Sequence, residues 1–203
     1  QQGDRVKQNL TIVQGKTFEQ FVRWETEPFL FTPILGISKT APVRITTGVH
    51  GIPDGWRVAV VDAGGLTELN AANNPPKASD FRKATVPDVT HIEFNPLSAV
   101  EFGTWTAGGY LQWYTPHDLA GYTARLAGKN KAGGTVQRSL TTENAGIVID
   151  ASAKTIKLFQ SATDTAAMTW KSGVYDLELE SPAGVVTKLL SGSITVSSEV
   201  TTT

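Results

Sequence analysis

The chain has 203 residues, with 18 basic and 19 acidic side chains for a net charge of -1, and it contains no cysteine. That balance removes the long-range field that would draw a protein to nucleic acid or an anionic membrane, and the missing thiols exclude a disulfide framework and a thiolate zinc site. No apolar run approaches the roughly 18 residues needed to span a bilayer, and no signal-peptide pattern opens the chain, so a soluble protein with room for one large or two small domains is expected.

Enrichment in Thr, Val, Ile, Gly and aromatic residues favours strands over helices, which makes the expected class all-β. Leu10 to Val13 reads as a short strand, Gln14-Gly15-Lys16-Thr17 as a turn and Phe18 to Trp24 as a second strand, together a hairpin. Pro28 to Pro33 is expected to end it. A compositionally distinct stretch follows. Its expected strands are Ile37 to Thr40, Val43 to Thr46, Arg57 to Val61, His91 to Phe94 and Gly109 to Trp113, each short and bounded by Gly, Pro, Asn or Asp. Such well-punctuated strands suit a small barrel. Within it, the run of Asn, Pro, Lys and Ser between Ala71 and Asp80 reads as a long polar loop, either a contact-making element or an ordinary solvated one.

From Thr115 onward the strand pattern is cleaner. Tyr122, Ala124 and Leu126 alternate with Thr123 and Arg125, as a half-buried strand requires. Gly133-Gly134 turns the chain, and strands are expected over Val136 to Leu140, Gly146 to Asp150 and Thr155 to Gln160. The segment Ser161 to Trp170 breaks the pattern. Ser161 or Thr163 can cap a short helix that the following alanines favour, so a one- to two-turn helix is expected to cross between sheets, with Met168 and Trp170 against the core. In Val174 to Glu180, Tyr175, Leu177 and Leu179 share one face while Asp176, Glu178 and Glu180 take the other. Pro182 to Gly184 makes a turn, Val185 to Leu190 and Ser193 to Val196 are the closing strands with a turn at Ser191-Gly192-Ser193, and residues 198–203 read as a flexible polar tail.

Several of these segments carry a resemblance. Gly121-Tyr122-Thr123-Ala124-Arg125-Leu126, Ser139-Leu140-Thr141-Thr142-Glu143-Asn144, Gly173-Val174-Tyr175-Asp176-Leu177-Glu178-Leu179 and Leu190-Ser191-Gly192-Ser193-Ile194-Thr195-Val196 resemble the immunoglobulin-like module at the N-terminus of bacteriophage baseplate upper proteins. The middle stretch is similar to the small FCCH-type β-barrel, through Ile37-Ser38-Lys39-Thr40-Ala41-Pro42, His50-Gly51-Ile52-Pro53-Asp54-Gly55 and Gly65-Leu66-Thr67-Glu68-Leu69-Asn70. A thioester role is excluded by the absence of cysteine.

The expected architecture is therefore an immunoglobulin-like β-sandwich formed by 5–34 and 115–197, interrupted by an inserted barrel over 35–114. Insertion in a surface loop leaves the host core intact when the guest's ends lie close together.

Chemistry-bearing patterns are sparse. His50, His91 and His117 lack the close spacing of a helix-borne zinc motif, no Gly-x-Ser-x-Gly or phosphate-binding glycine loop is present, and no pair among Asp54, Asp62, Glu68, Glu93 and Glu101 is singled out for glycoside hydrolysis. No catalytic residue, cofactor or metal is expected. His50 is expected to hydrogen-bond locally at the barrel entrance and His117, beside Asp118, to cap the returning strand. Trp56, Trp105, Tyr110, Trp113 and Tyr114 gather in or beside the barrel, where they either fill its core or stack on sugar rings. The candidate contact residues are Trp56, Asn73, Asn74, Lys77, Trp105 and Tyr110.

The resemblance implies a virion structural protein of a tailed phage, an adaptor or attachment component of the tail or baseplate, assembled in the host cytoplasm. Its implied partners are other tail, baseplate or fibre proteins and further copies of itself, without nucleic acid or membrane insertion. A capsid decoration or head-fibre protein, and a host-glycan-binding module, are the alternatives.

Overall fold

The computed structural model describes residues 6–198. They form an all-β protein of two compact units, one built from residues up to 24 together with those from 118, the other from residues 25–117. The flexible tail expected over 198–203 lies, beyond Ser198, outside the described residues.

The first unit begins with β1 (Val6–Lys7), β2 (Leu10–Val13) and β3 (Phe18–Val22). The chain then enters the second unit, which holds β4 (Glu25–Ser38), β5 (Val43–Thr47), β6 (Arg57–Val61), β7 (Arg82–Lys83), β8 (Thr85–Asp88), β9 (His91–Phe94) and β10 (Tyr110–Pro116). It returns through β11 (Thr123–Lys129), β12 (Val136–Thr141), β13 (Ile147–Asp150), β14 (Thr155–Gln160), the helix α1 (Ala162–Ala166), β15 (Ser172–Glu180) and β16 (Val186–Ser197).

The first unit is a sandwich. One sheet runs β1-β16-β15-β11-β12 with β2 also on β16, and the other runs β13-β14-β3. Strict alternation builds the core between them: Ala124 and Leu126 from β11, Ile156 and Leu158 from β14, Tyr175, Leu177 and Leu179 from β15 and Leu190, Ile194 and Val196 from β16 are all buried. Each such side chain removed from water contributes about 1.5–3 kcal/mol if it is a large aliphatic, which makes this face the dominant stabilising term. The Ser161 hydroxyl accepts from the Asp164 N–H at 3.1 Å and caps α1, which carries the chain from β14 in one sheet to β15 in the other. Buried Met168 and half-buried Trp170 pack on the core behind it, as expected.

Three expectations are corrected here. Residues 10–24 do not form a hairpin: β2 pairs parallel with β16 and β3 pairs antiparallel with β14, so the turn over 14–17 moves the chain from one sheet to the other. Ser191-Gly192-Ser193 is not a turn but the middle of the continuous strand β16, where Gly192 approaches Gln8 so closely that a Cβ would stand 2.1 Å from its carbonyl oxygen. Pro28 and Pro33 do not terminate a strand either.

That last correction moves the domain boundaries, which fall at 24/25 and 117/118 rather than at 34/35 and 114/115. β4 continues through both prolines because neither is required to donate to the ladder. Glu27 and Pro28 are looped out where the β10 register shifts between Tyr114 and Thr115, and Pro33 turns its backbone nitrogen away from β10.

The second unit is a nearly closed barrel-like sheet in the order β7-β6-β10-β4-β5-β9-β8. β6, flanked by β7 and β10, is apolar on both faces, and Val58, Val60, Trp56, Leu111, Trp113, Ile45, Ile92 and Phe94 are in the core. The strands β7 and β8 are additions to the expected set. The unit's incoming and outgoing ends are paired, Glu25 with Pro116 and Thr26 with Thr115.

Candidate functional site

Along β4 the side chains alternate: Thr32 and Ile34 are buried in the barrel, while Phe31, Pro33 and Leu35 emerge on the other face. Phe31 and Leu35 are 57% and 60% exposed, far more than isolated packing requires. Across the ladder Tyr110 lies opposite Pro33 and Gln112 opposite Phe31, so Tyr110 shares this face and meets the Phe31 ring edge-on with centroids 5.5 Å apart. The same face continues into a closed aromatic group in which Tyr114 stands 4.4 Å from Phe29 and 5.3 Å from Phe81 between ring centroids. One end of the strip is thus covered and the other is open to solvent, the arrangement of a contact surface on a rigid base.

Of the six expected contact residues, Tyr110 belongs to this strip. Trp56 is withdrawn, because it is fully buried and its indole Nε1 donates to the Tyr114 carbonyl oxygen at 2.9 Å. A large aromatic with its one polar atom satisfied is a core anchor. Trp113 is likewise core. Trp105 is half-buried against the same core, and its Nε1 donates to the Gly108 oxygen at 3.0 Å. Its loop is held against 64–65 by a close backbone approach: Gly65 has φ +79°, and a Cβ there would stand 2.2 Å from the Thr104 oxygen.

The polar loop over 71–80 is tied down rather than free. The Asp80 carboxylate accepts from the Lys77 N–H at 2.8 Å, from the Asn73 side-chain amide at 3.0 Å and from the Ala72 N–H at 3.2 Å. The bond from Lys77, followed by that from Asn73, holds this carboxyl below its usual range. Arg82 donates to the Leu69 oxygen at 2.8 Å and anchors the near end. Asn73 is therefore an internal strut, while Asn74 and Lys77 stay exposed.

A second polar cluster surrounds the β8–β9 turn. Asp88 contacts His91 Nδ1 at 2.9 Å and accepts from the Thr90 N–H and hydroxyl, each at 2.8 Å, and the His91 contact above all depresses its carboxyl well below the usual range. Against this turn packs His50, only 8% exposed, whose N–H donates to the Val89 oxygen at 3.1 Å and whose Nδ1 accepts from the Ile52 N–H at 2.9 Å. The expected local hydrogen bond of His50 is present. Burial lowers the pKa of its imidazole.

Elsewhere, a shallow groove of about 440 Å³ runs between Arg82, Lys83 and Thr85 on one side and the turn at Phe94 to Leu97 on the other. In the sandwich, Arg125 bridges Glu178 at 2.9 Å and Glu180 at 3.5 Å across the β11–β15 face. Among the described residues, no three or more His, Asp or Glu side chains converge as metal ligands would. Sequence reasoning missed Phe31, Pro33 and Leu35, although the alternation that exposes them is visible in the string Phe29 to Leu35 once the prolines are not taken as breaks.

Compared with protein-family models and with curated proteins, the chain matches none.

Proposed function

We propose that this chain is an assembly module, a protein that acts through the surfaces it presents to neighbours and carries no catalytic machinery. More narrowly, it is an adaptor or attachment component of a tailed phage virion, placed in the tail or baseplate, with fibres or neighbouring tail proteins as its partners. The observation that supports this reading is the interrupted design itself. A guest unit whose two ends pair side by side is carried in one loop of a host sandwich and displays an open apolar strip on a rigid sheet. An insertion whose ends lie side by side leaves its host intact and its own surface free for contacts, and the resemblance of the Gly121 to Leu126, Gly173 to Leu179 and Leu190 to Val196 segments to a baseplate module points the same way.

The test is localisation of the chain in intact phage particles by cryo-electron microscopy. Density at the tail tip, baseplate or collar, with Phe31 and Tyr110 in contact with another subunit, is the expected result. Density on the capsid lattice overturns the adaptor reading in favour of decoration. A strip free of contacts in the particle, together with binding of the purified chain to host glycans, overturns it in favour of receptor recognition.

A further inference from the structure

The structure assigns the outward edge of β4 as a self-association site, at which two copies of this chain pair antiparallel along residues 29–33 with Phe31 on the two-fold axis. The inference stands on the backbone of the barrel and does not depend on the virion reading.

The edge is defined by the ladder. The Ile34 N–H donates to the Gly109 oxygen at 3.0 Å, and in an antiparallel pair every second residue faces the same neighbour. Leu30, Thr32 and Ile34 therefore bond toward β10, while the backbone groups of Phe29, Phe31 and Pro33 point the opposite way. Pairing of β4 with β5 begins only at Ile34, so among the described residues no strand covers that side of 29–33. Such an edge is a template for another strand. Its guards against pairing are confined to its two ends, Pro33 at one and the looped-out Glu27 and Pro28 at the other, while between them Phe29 and Phe31 keep their outward donors and no lysine or inward-pointing charge intervenes.

The position of Pro33 selects the occupant. With Phe31 opposite its own copy, each Phe31 N–H donates to the partner's Phe31 oxygen, and each Phe29 N–H donates to the partner's Pro33 oxygen. The donor that Pro33 lacks is then missing only at the two ends of the pair, where a Phe29 oxygen stays open to water. Sliding one copy by two residues in one direction brings the missing donor into the middle, opposite Phe31. Sliding it in the other direction sets Pro33 against the looped-out Glu27. The centred register alone uses the whole free edge, which ends where pairing with β5 begins at Ile34. Directly opposed side chains lie on one face of the joined sheet, which brings the two Phe31 rings together and fuses the strips of Phe31, Pro33, Leu35 and Tyr110 into one surface. A net charge of -1 per copy adds little repulsion.

Because the chain has no cysteine, Phe31→Cys places a single reporter thiol on the proposed axis. Mild oxidation of the full chain is expected to yield a disulfide-linked dimer, while Val148→Cys, exposed on the sandwich, stays monomeric under the same conditions. Sedimentation equilibrium of the unaltered chain is expected to show a reversible dimer. Phe31→Pro removes the outward donor without touching the β10 ladder, and Phe31→Lys keeps the donor but opposes two like charges. Each is expected to weaken self-association by about tenfold or more with an unchanged far-UV circular dichroism spectrum. A monomer at all concentrations overturns the assignment, as do equal cross-linking at both cysteine positions and a dimer insensitive to Phe31→Lys. If Phe31→Pro does not fold, Phe31→Lys and the cysteine pair decide the matter.

Discussion

The sandwich and the inserted barrel are both all-β, yet they are closed in different ways. The sandwich is fastened by strands from opposite ends of its sequence, β1 and β2 lying parallel on β16, with the Tyr175 hydroxyl donating to the Gln8 oxygen at 2.8 Å as a further clasp. The barrel uses one uninterrupted stretch of chain, and its outer ends, Glu25 and Pro116, pair with each other. In the sandwich the core is a regular sum of many aliphatic residues on alternating positions. In the barrel a comparable aliphatic set is joined by three large buried aromatic residues, Trp56, Trp113 and Phe94. The difference teaches where each unit is vulnerable: the barrel to loss of one large side chain, the sandwich to loss of its long-range clasps.

The strongest way to break that comparison is Trp56→Ala, which empties a fully buried site and leaves the Tyr114 oxygen without its indole donor. It is expected to cost the barrel about 3–5 kcal/mol, seen in chemical denaturation as an early transition of the barrel tryptophans while the sandwich transition stays in place. Concerted loss of both units would show that the barrel is not energetically separate. Tyr175→Phe sharpens the other half. Removing the hydroxyl that reaches Gln8 is expected to destabilise the sandwich by about 0.5–1.5 kcal/mol, with faster hydrogen exchange in β16 and none of it in the barrel. Burial pushes the Tyr175 phenol up to about 12, so this bond persists through the neutral range.

The smallest effect concerns pH and falls on the barrel alone. The folded His50 imidazole has a pKa below its unfolded value of about 6.5, so the unfolded chain binds the proton more readily. The contribution of neutral His50 is complete above that value and is lost as pH falls from it toward the folded pKa. His50→Asn keeps an acceptor for the Ile52 N–H and removes the titration. Barrel unfolding followed from pH 8 to 5 is expected to lose part of its pH dependence in the variant, and equal slopes in both proteins would refute the assignment. Asp88, held low chiefly by His91, loses its own contribution only in a more acidic window, below the ordinary carboxylate range.

How far the sequence could be read follows the same division. Thr155 to Gln160 and the Ser161-capped helix were legible because alternation and a side-chain cap are local signals, and Tyr175, Leu177 and Leu179 because a two-residue period admits one buried face. The pairing of β2 with β16 was not, since nothing near Leu10 refers to Ile194. β4 was misread because proline normally ends a strand, whereas Pro28 sits in a looped-out pair and Pro33 faces an open edge. β7, with two residues, is too short for a period to emerge, and β8 holds Pro87 and no fully buried position, so it carries no apolar alternation. At the candidate site the sequence put Tyr110 and Trp56 forward alike, and the structure places Tyr110 beside exposed Phe31 and Trp56 in the core. Composition places an aromatic residue in a small barrel without saying on which side of its wall.

The paired ends of the inserted unit also impose an order on biosynthesis. Every strand of the barrel has been made once the ribosome has passed Pro116, whereas the sandwich must wait for β16, to which its first two strands belong. Domains fold as units during synthesis, so the guest is complete while β1, β2 and β3 of its host are still unpartnered. The nascent chain thus holds a finished barrel as a spacer between the early strands and the later ones that will receive them. By joining residue 25 to residue 116, that barrel shortens the loop the host has to close.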